Sequence, residues 1–520
     1  MMNYSVMLQG TSSSVGKSVL AAALCRLFYR AGYRVAPFKS QNMALNSCVT
    51  RDGGEMGRAQ VLQAYAAGVE PSVRMNPILL KPTAPASSQI VVLGSPVGNL
   101  SAMEYHGNYN QSLLGVVEGA YTSLCREFEI IVIEGAGSPA EVNLKKHEIA
   151  NMRIARMTGA PVLLVADIDR GGALAAVVGT LELLDPDERE MVSGIIINKF
   201  RGDLALLRPA LEFLEARTGK PVLGVIPYLP DLGLPEEDSV ALERKINRAS
   251  TAEQIEIAVV TTPRISNFTD FDPLEREPGV NVRYVAGKEP LGKPDLVILP
   301  GSKNTLSDLL FLEECGKVAE IKRLAAAGVP VIGICGGYQM LGIEINDPEG
   351  SEGGGARRVK GMGLLDIVTD FALTKATYLV EANITGDGPF LGPCRGWQVR
   401  GYEIHMGESR RVNRTEAAFR IKKRGEEPAE VDDGAVAPGG LILGTYMHGI
   451  FDNDNFRGNV LSFLRRRRGL ADRQGDYKFA ADLEKRLDEL ARVVGASLDL
   501  ERLAEIMGLS RPLEVVDFVS

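Results

Sequence analysis

Tryptophan occurs once and histidine four times in 520 residues, and the six cysteines (Cys25, Cys48, Cys125, Cys315, Cys335, Cys394) are scattered with no CxxC spacing. That scatter excludes a zinc or iron–sulfur site built on paired thiols, and it fits a reducing compartment. No run approaches the ~20 continuous apolar residues that span a bilayer. Met1-Met2-Asn3-Tyr4 passes straight into a strand-like segment, without the basic and apolar stretches of a secretory signal. A cytoplasmic location with no membrane partner is expected. Positive charge is short as well: a net charge of −8 leaves no basic surface for a nucleic-acid partner. The one dense cluster, Arg465–Arg468, reads as a solvated helix end. What is present, 45% apolar and 24% charged residues, is ordinary for a globular protein, and 520 residues are too many for one core.

Runs of Val, Ile and Leu without polar alternation recur at Ser5–Gln9, Arg34–Pro37, Ile130–Glu134, Pro161–Asp167, Gly194–Asn198 and Val222–Ile226. Amphipathic stretches such as Gly16–Ala31 and Ala173–Leu184 lie between them. Strands apolar on both faces belong in a parallel sheet covered by helices. A second series follows at Ile255–Val260, Val282–Val285, Asp295–Pro300, Val329–Ile334 and Leu441–Tyr446. The fold class expected is therefore α/β: two doubly wound, mainly parallel-sheet domains, with C-terminal helices at Ala481–Val493 and Leu498–Met507. The division reads as residues 1–235, a charged, proline-bearing linker at 236–252, a second domain at 253–465 and a helical extension at 466–520. Residues 40–128 fit the rhythm poorly and read as loops and insertions around a site. A glycine-rich loop near Asp347–Arg358 interrupts the second domain.

Gly10-Thr11-Ser12-Ser13-Ser14-Val15-Gly16-Lys17-Ser18 ends the first strand and opens the first helix, the context of a nucleotide-phosphate loop. Gly10 and Gly16 let backbone N–H groups, Thr11 among them, close round phosphates, and the helix N-terminus adds partial positive charge. Lys17 would reach the outer phosphates and the Ser18 hydroxyl would sit on Mg²⁺, so ATP and Mg²⁺ are the cofactors expected. Five residues, not the usual four, separate Gly10 from Gly16-Lys17-Ser18. Glu134 ends a buried strand, at the edge where open α/β sheets bind ligands, and is a natural Mg²⁺ ligand; a capping carboxylate is the plain alternative. Asp167 and Asp169 also end a strand, as metal or substrate contacts or as turn residues.

In Pro330-Val331-Ile332-Gly333-Ile334-Cys335-Gly336-Gly337-Tyr338-Gln339 a buried strand runs into a cysteine flanked by glycines. A sharp strand-to-helix turn exposes such a side chain, and a helix N-terminus favours a thiolate. The Gly336 N–H would stabilise an oxyanion, with Gly301 of Pro300-Gly301-Ser302 as second donor. His448, in Tyr446-Met447-His448-Gly449, ends another strand and is the candidate general base. An inert buried thiol and a satisfied core histidine are the plain alternatives.

The lengthened phosphate loop resembles that of the dethiobiotin synthetase family, which activates carboxylates with ATP. That resemblance implies that Asp52, in Arg51-Asp52-Gly53-Gly54-Glu55, is a second metal ligand, and that Asn198 contacts the adenine. A turn aspartate and a strand-end turn are what the residues alone would allow. The cysteine half resembles the class I glutamine amidotransferases, in which a glutamate commonly lies two residues past the histidine. Ile450 stands there, so the group that orients His448 stays open; Asp452 is near, but its spacing does not select it.

The two halves together resemble the cobyric and cobyrinic acid amide synthases of corrinoid and cobalamin biosynthesis. Gln9–Ser13, Lys39–Asn46, Glu134–Glu141, Asp167–Gly172, Asn198–Asp203 and Gly401–Gly407 carry that resemblance from residue 5 to about 455. It implies an ATP- and glutamine-dependent ligase that amidates four carboxylates (b, d, e, g) of adenosylcobyrinic acid a,c-diamide to give adenosylcobyric acid. L-Glutamine and the corrinoid would then be the partners. Gln41, Asn42 and Asn46 are suited to hold a corrin rich in amides and carboxylates, and His405 is either a substrate or interdomain contact or a strand histidine. A shielded passage for ammonia between the domains is expected. Two alternatives remain: a sister ligase acting on the a and c carboxylates, and a partitioning-type ATPase switch with an unreactive second domain.

Overall fold

The computed structural model describes residues 3–84, 87–105, 112–229, 233–234, 251–352, 355–413, 415–472 and 477–513. The linker expected at 236–252 lies outside the described residues except for its last two. Two compact units form: Met1–Ala44, Met56–Leu234 and Leu483–Ser520 in the first, Leu45–Glu55 and Pro235–Asp482 in the second.

The first unit is built on a six-stranded sheet in the order Val222–Pro227, Val192–Phe200, Val162–Asp167, Tyr4–Gly10, Ile130–Glu134, Val35–Phe38, parallel throughout. Its central strands are buried on both faces, as their unbroken apolar runs require. The helix Lys17–Arg30 buries Leu20, Leu24, Leu27 and Phe28 against that sheet. The C-terminal helices, read from the sequence as an extension, complete this core. Leu487, Leu490, Val494, Leu503 and Met507 join the cluster of Val6, Leu24 and Val165, and Arg26 of the loop helix pairs with Asp488 at 2.7 Å. Residues 40–128 are more ordered than expected: Gln41–Met43, Ile78–Ala84, Ser87–Val92 and Ser95–Ser101 form a four-stranded sheet.

The second unit has its own six-stranded sheet, ordered Val280–Ala286, Ile255–Thr261, Leu296–Leu299, Val331–Ile334, Ile442–Thr445, Ala435–Val436, parallel except for the last pair. A further, mostly antiparallel sheet between residues 344 and 433, centred on Ile367–Ile384 and Gln398–Arg411, was not anticipated. The arginine cluster is an exposed helix end at Arg466–Arg468, as expected, while Arg465 is buried and donates to Pro278 O at 2.7 Å; Arg468 also reaches Asp295 at 3.0 Å. Among the described residues no helix is long and apolar enough to cross a membrane.

Candidate active site

In the first unit the loop between Gly10 and Lys17 turns into its helix through Gly16, whose φ of +100° and lack of a side chain are both used. A Cβ there would lie 2.3 Å from Asn198 Nδ2. Lys17 Nζ, at the base of the loop, donates to Ser12 O at 3.2 Å and Gly137 O at 3.1 Å. Ser18 Oγ donates to Glu134 Oε1 at 2.7 Å, so the hydroxyl and carboxylate that the sequence singled out 116 residues apart are in contact.

Glu134 is fully buried. Burial pushes its carboxyl up, but the Lys39 ammonium at 2.9 Å and hydrogen bonds from Lys39, Gln63 and Ser18 outweigh this and hold it below the ordinary value. Gln60 and Gln63 also donate to Glu134 Oε2, while Gln63 Oε1 is buried with no partner among the described residues. An ionised carboxylate, a hydroxyl and an orphaned amide oxygen are hard donors suited to Mg²⁺, which needs one or two carboxylates beside phosphate and water oxygens. Among the described residues, no group of three or more His, Cys, Asp or Glu side chains gathers as an all-protein metal cage.

Asn198 donates to Val15 O at 2.7 Å, and Lys199 to Ser14 O at 2.6 Å and Asp167 at 2.7 Å, clasping the far side of the loop. Asp167 is thus engaged with Lys199, and Asp169 with Arg201 at 2.9 Å.

The polar residues chosen for the corrin separate. Gln41 borders a cavity of about 300 Å³ lined also by Ser13, Gly137, Glu141, His147 and Glu148, and its Oε1 accepts from Tyr105. Asn42 is buried and donates to Gln60 Oε1 at 2.9 Å, bracing the residues around Glu134. Asn46 corrects the expectation: it is fully buried and its Oδ1 accepts the Phe268 N–H at 3.2 Å, inside the second unit. Asp52 also belongs to the second unit, where it accepts a hydrogen bond from Thr50 in the turn 50–54.

In the second unit, Val331–Ile334 leads through Cys335 into the helix Gly336–Leu341. Cys335 has φ +52° and ψ −108°, a strained conformation for a residue with a side chain, and one that holds the thiol at the turn. The neighbouring glycine is required by space: a Cβ on Gly337 would lie 2.1 Å from Leu299 O. The Gly301 backbone lies beside His448, since a Cβ there would sit 3.0 Å from Cε1, and Gly336 abuts the Ser302 N–H.

His448 Nδ1 is 2.7 Å from Asp270 Oδ2, and Asp270 Oδ1 accepts the Gly449 N–H at 3.0 Å. With Nδ1 engaged, Nε2 is left for the hydrogen bond to the Cys335 sulfur. Burial would lower the imidazole, but Asp270 and Cys335 outweigh it and push it up to about 10. Sequence reasoning missed Asp270: it lies 178 residues before His448, with no spacing signal. Gln339 was also missed; it donates to Met406 O at 3.1 Å and accepts from Thr305 at 3.0 Å. His405 is a strand histidine stacked on Tyr446 at 3.7 Å, its Nδ1 3.0 Å from Gly407 O.

A cysteine, an imidazole and a carboxylate in one chain of contacts can carry covalent acyl transfer. Residues 256–456 match the model of the CobB/CobQ-like glutamine amidotransferase domain, and residues 6–240 that of the CobQ/CobB/MinD/ParA nucleotide binding domain. The cobyric acid synthase of Moorella thermoacetica is 67% identical over 508 residues, covering 98% of each chain. Those of Pelotomaculum thermopropionicum (59%; 98% of this chain, 97% of the relative) and Desulfitobacterium hafniense (54%; 97% and 98%) match along nearly their whole lengths too.

The chain belongs to the cobyric acid synthase family.

It is an enzyme of that family, with a nucleotide-binding domain and a glutamine amidotransferase domain of the expected α/β class. Membership selects this branch over the sister ligase and the partitioning switch.

Proposed function

We propose that the chain hydrolyses glutamine at Cys335 and uses the ammonia, with ATP, to amidate the b, d, e and g carboxylates of adenosylcobyrinic acid a,c-diamide. The observation that carries this reading is the contact chain Cys335–His448–Asp270, in the same polypeptide as a phosphate loop whose Ser18 touches Glu134.

In the glutamine unit the Cys335 sulfur attacks the side-chain amide carbon, and the N–H of Gly336 and the Gly301–Ser302 turn take the charge of the oxyanion. His448, held by Asp270, gives its proton to the departing nitrogen, so ammonia leaves and a thioester remains. Water activated by His448 then releases glutamate and restores the thiol. A carboxylate resists ammonia because oxide is a poor leaving group. Transfer of the ATP γ-phosphoryl group makes an acyl phosphate and ADP; ammonia adds to the carbonyl carbon and inorganic phosphate departs. Lys17 and the loop N–H groups hold the phosphates. Ser18 and Glu134 would hold Mg²⁺, which supplies charge neutralisation on the phosphate oxygens. Gln41 and the cavity beside Ser13 form the acceptor side. Each cycle converts one carboxylate, so the product requires four.

The test is incubation with cobyrinic acid a,c-diamide, MgATP and glutamine, followed by mass spectrometry. Four equal steps of hydroxyl-to-amino exchange are expected. A corrin that leaves unchanged, or gains amides without ATP consumption, would overturn the reading.

A further inference from the structure

We propose that Asn46 is a positioning residue of the glutaminase site, acting through the turn at 267–270 on Asp270 and thereby on His448. This rests on the reading of Cys335 and His448 given above and extends it to a residue from the nucleotide half of the sequence.

Asp270 stands on a single four-residue helical turn, Phe268–Phe271, entered through Asn267 in the left-handed conformation with φ +53°. Backbone bonds close the turn, from the Asp270 N–H to Asn267 O at 3.0 Å and from the Asp272 N–H to Thr269 O, but none of these ties it to a neighbouring segment. Phe268 and Phe271 anchor it in the core, and two reciprocal asparagine bonds tie its entry to residues 46 and 47. The Phe268 N–H donates to Asn46 Oδ1 at 3.2 Å, and the Ser47 N–H donates to Asn267 Oδ1 at 3.0 Å. Both asparagines are buried. The strand segment behind them is pinned in turn: Ser47 Oγ donates to Glu55 Oε1 at 2.6 Å, and the buried Lys375 ammonium pairs with the same carboxylate.

What the turn holds is exacting. Asp270 uses one oxygen on His448 Nδ1 and the other on the Gly449 N–H, so it sets both the ring and the backbone that carries it. Tyr402 stacks on the imidazole, with ring centres 5.2 Å apart, and limits where the ring can go instead. Moving Asp270 by a fraction of an ångström therefore re-aims Nε2 at the Cys335 sulfur. Residues 45–55 belong with the glutamine unit, yet the chain on either side of them belongs with the nucleotide unit. A short strap of nucleotide-half sequence thus serves the glutaminase turn.

The experiment measures glutamate release from L-glutamine by the full chain between about pH 6 and about pH 11, for the native protein and for Asn46→Ala, Asn46→Asp, Asn267→Gly and Cys335→Ala. The groups that face His448 are Asp270, Cys335 and the Tyr402 ring. Loosening Asp270 lowers the imidazole, so the alkaline limb of the Asn46→Ala profile moves to lower pH. Its kcat falls roughly ten- to a hundredfold, with KM within about twofold of native. Asn46→Asp keeps an acceptor for the Phe268 N–H and returns the limb toward its native position. Asn267→Gly keeps the positive φ but deletes the acceptor for the Ser47 N–H; it shifts the limb the same way by less, and serves if Asn46→Ala does not fold. A limb that stays in place in both deletions, with release still abolished by Cys335→Ala, overturns the proposal alone. Release that survives Cys335→Ala overturns the glutaminase reading and the proposal with it.

Discussion

Replacing Asp270 by Asn keeps the size and shape of the side chain and removes its charge. In the native chain the Asp270 carboxylate, 2.7 Å from Nδ1, and the Cys335 sulfur overcome burial and raise His448 from 6.5 to about 10. At 1.36 kcal/mol per pH unit that rise is roughly 5 kcal/mol in favour of the imidazolium. Losing Asp270 should lower the imidazole by roughly one to three units. An Asn amide can also turn its NH₂ to Nδ1 and impose the wrong tautomer, which in an analogous serine–histidine–aspartate site costs about 10⁴ in kcat. The expected result for Asp270→Asn is a fall of at least about a hundredfold in glutamate release, with the alkaline limb displaced downward. Because His448 is raised on folding, its contribution to stability is complete below pH 6.5 and is lost as pH rises through about 10; the variant forfeits part of it across that window. Amidation driven by ammonium salts bypasses this site and should stay near native. Native glutamate release with an unmoved limb would refute the reasoning.

Glu134→Gln removes the carboxylate from a buried Lys39 and should cost about 3–5 kcal/mol of folding stability. Calorimetry should also show that MgATP no longer raises its melting temperature; a full MgATP shift would contradict the role given to Glu134. Leu490→Ala opens a hole under the loop helix, where Leu490 is fully buried in the first unit's core, and should cost about 2–5 kcal/mol in denaturant titrations. A loss within error would mean the C-terminal helices are dispensable to that core.

The parallel sheets were legible because strands buried on both faces leave unbroken apolar runs such as Ile130–Val132 and Val162–Ala166. The second unit's antiparallel sheet left no such mark. Strands like Gln398–Arg411 mix buried, half-buried and exposed positions without a regular period and carry many charges, so neither an unbroken apolar run nor a clean alternation marks them. Cys335, Lys17 and Ser18 could be singled out as candidates because the pattern that marks each is local to one turn. Asp270 was not, since only the tertiary fold brings Phe268–Phe271 beneath Gly449. Asn46 misled for the same reason: a polar run, Gln41 to Asn46, looks like one surface, but the chain changes units after Ala44. Asp52 lies beyond that crossing, in the second unit, so nearness in sequence to the nucleotide half does not assign it to that unit.

The most direct test of the division of labour is corrin amidation by Cys335→Ala, supplied in parallel with glutamine or with an ammonium salt, alongside Lys17→Ala. Cys335→Ala should fail on glutamine and work on ammonium with ATP consumed, while Lys17→Ala should fail on both. Amidation by Lys17→Ala from ammonium at the native rate, or by Cys335→Ala from glutamine, would contradict the assignment of nitrogen supply and carboxylate activation to the two sites.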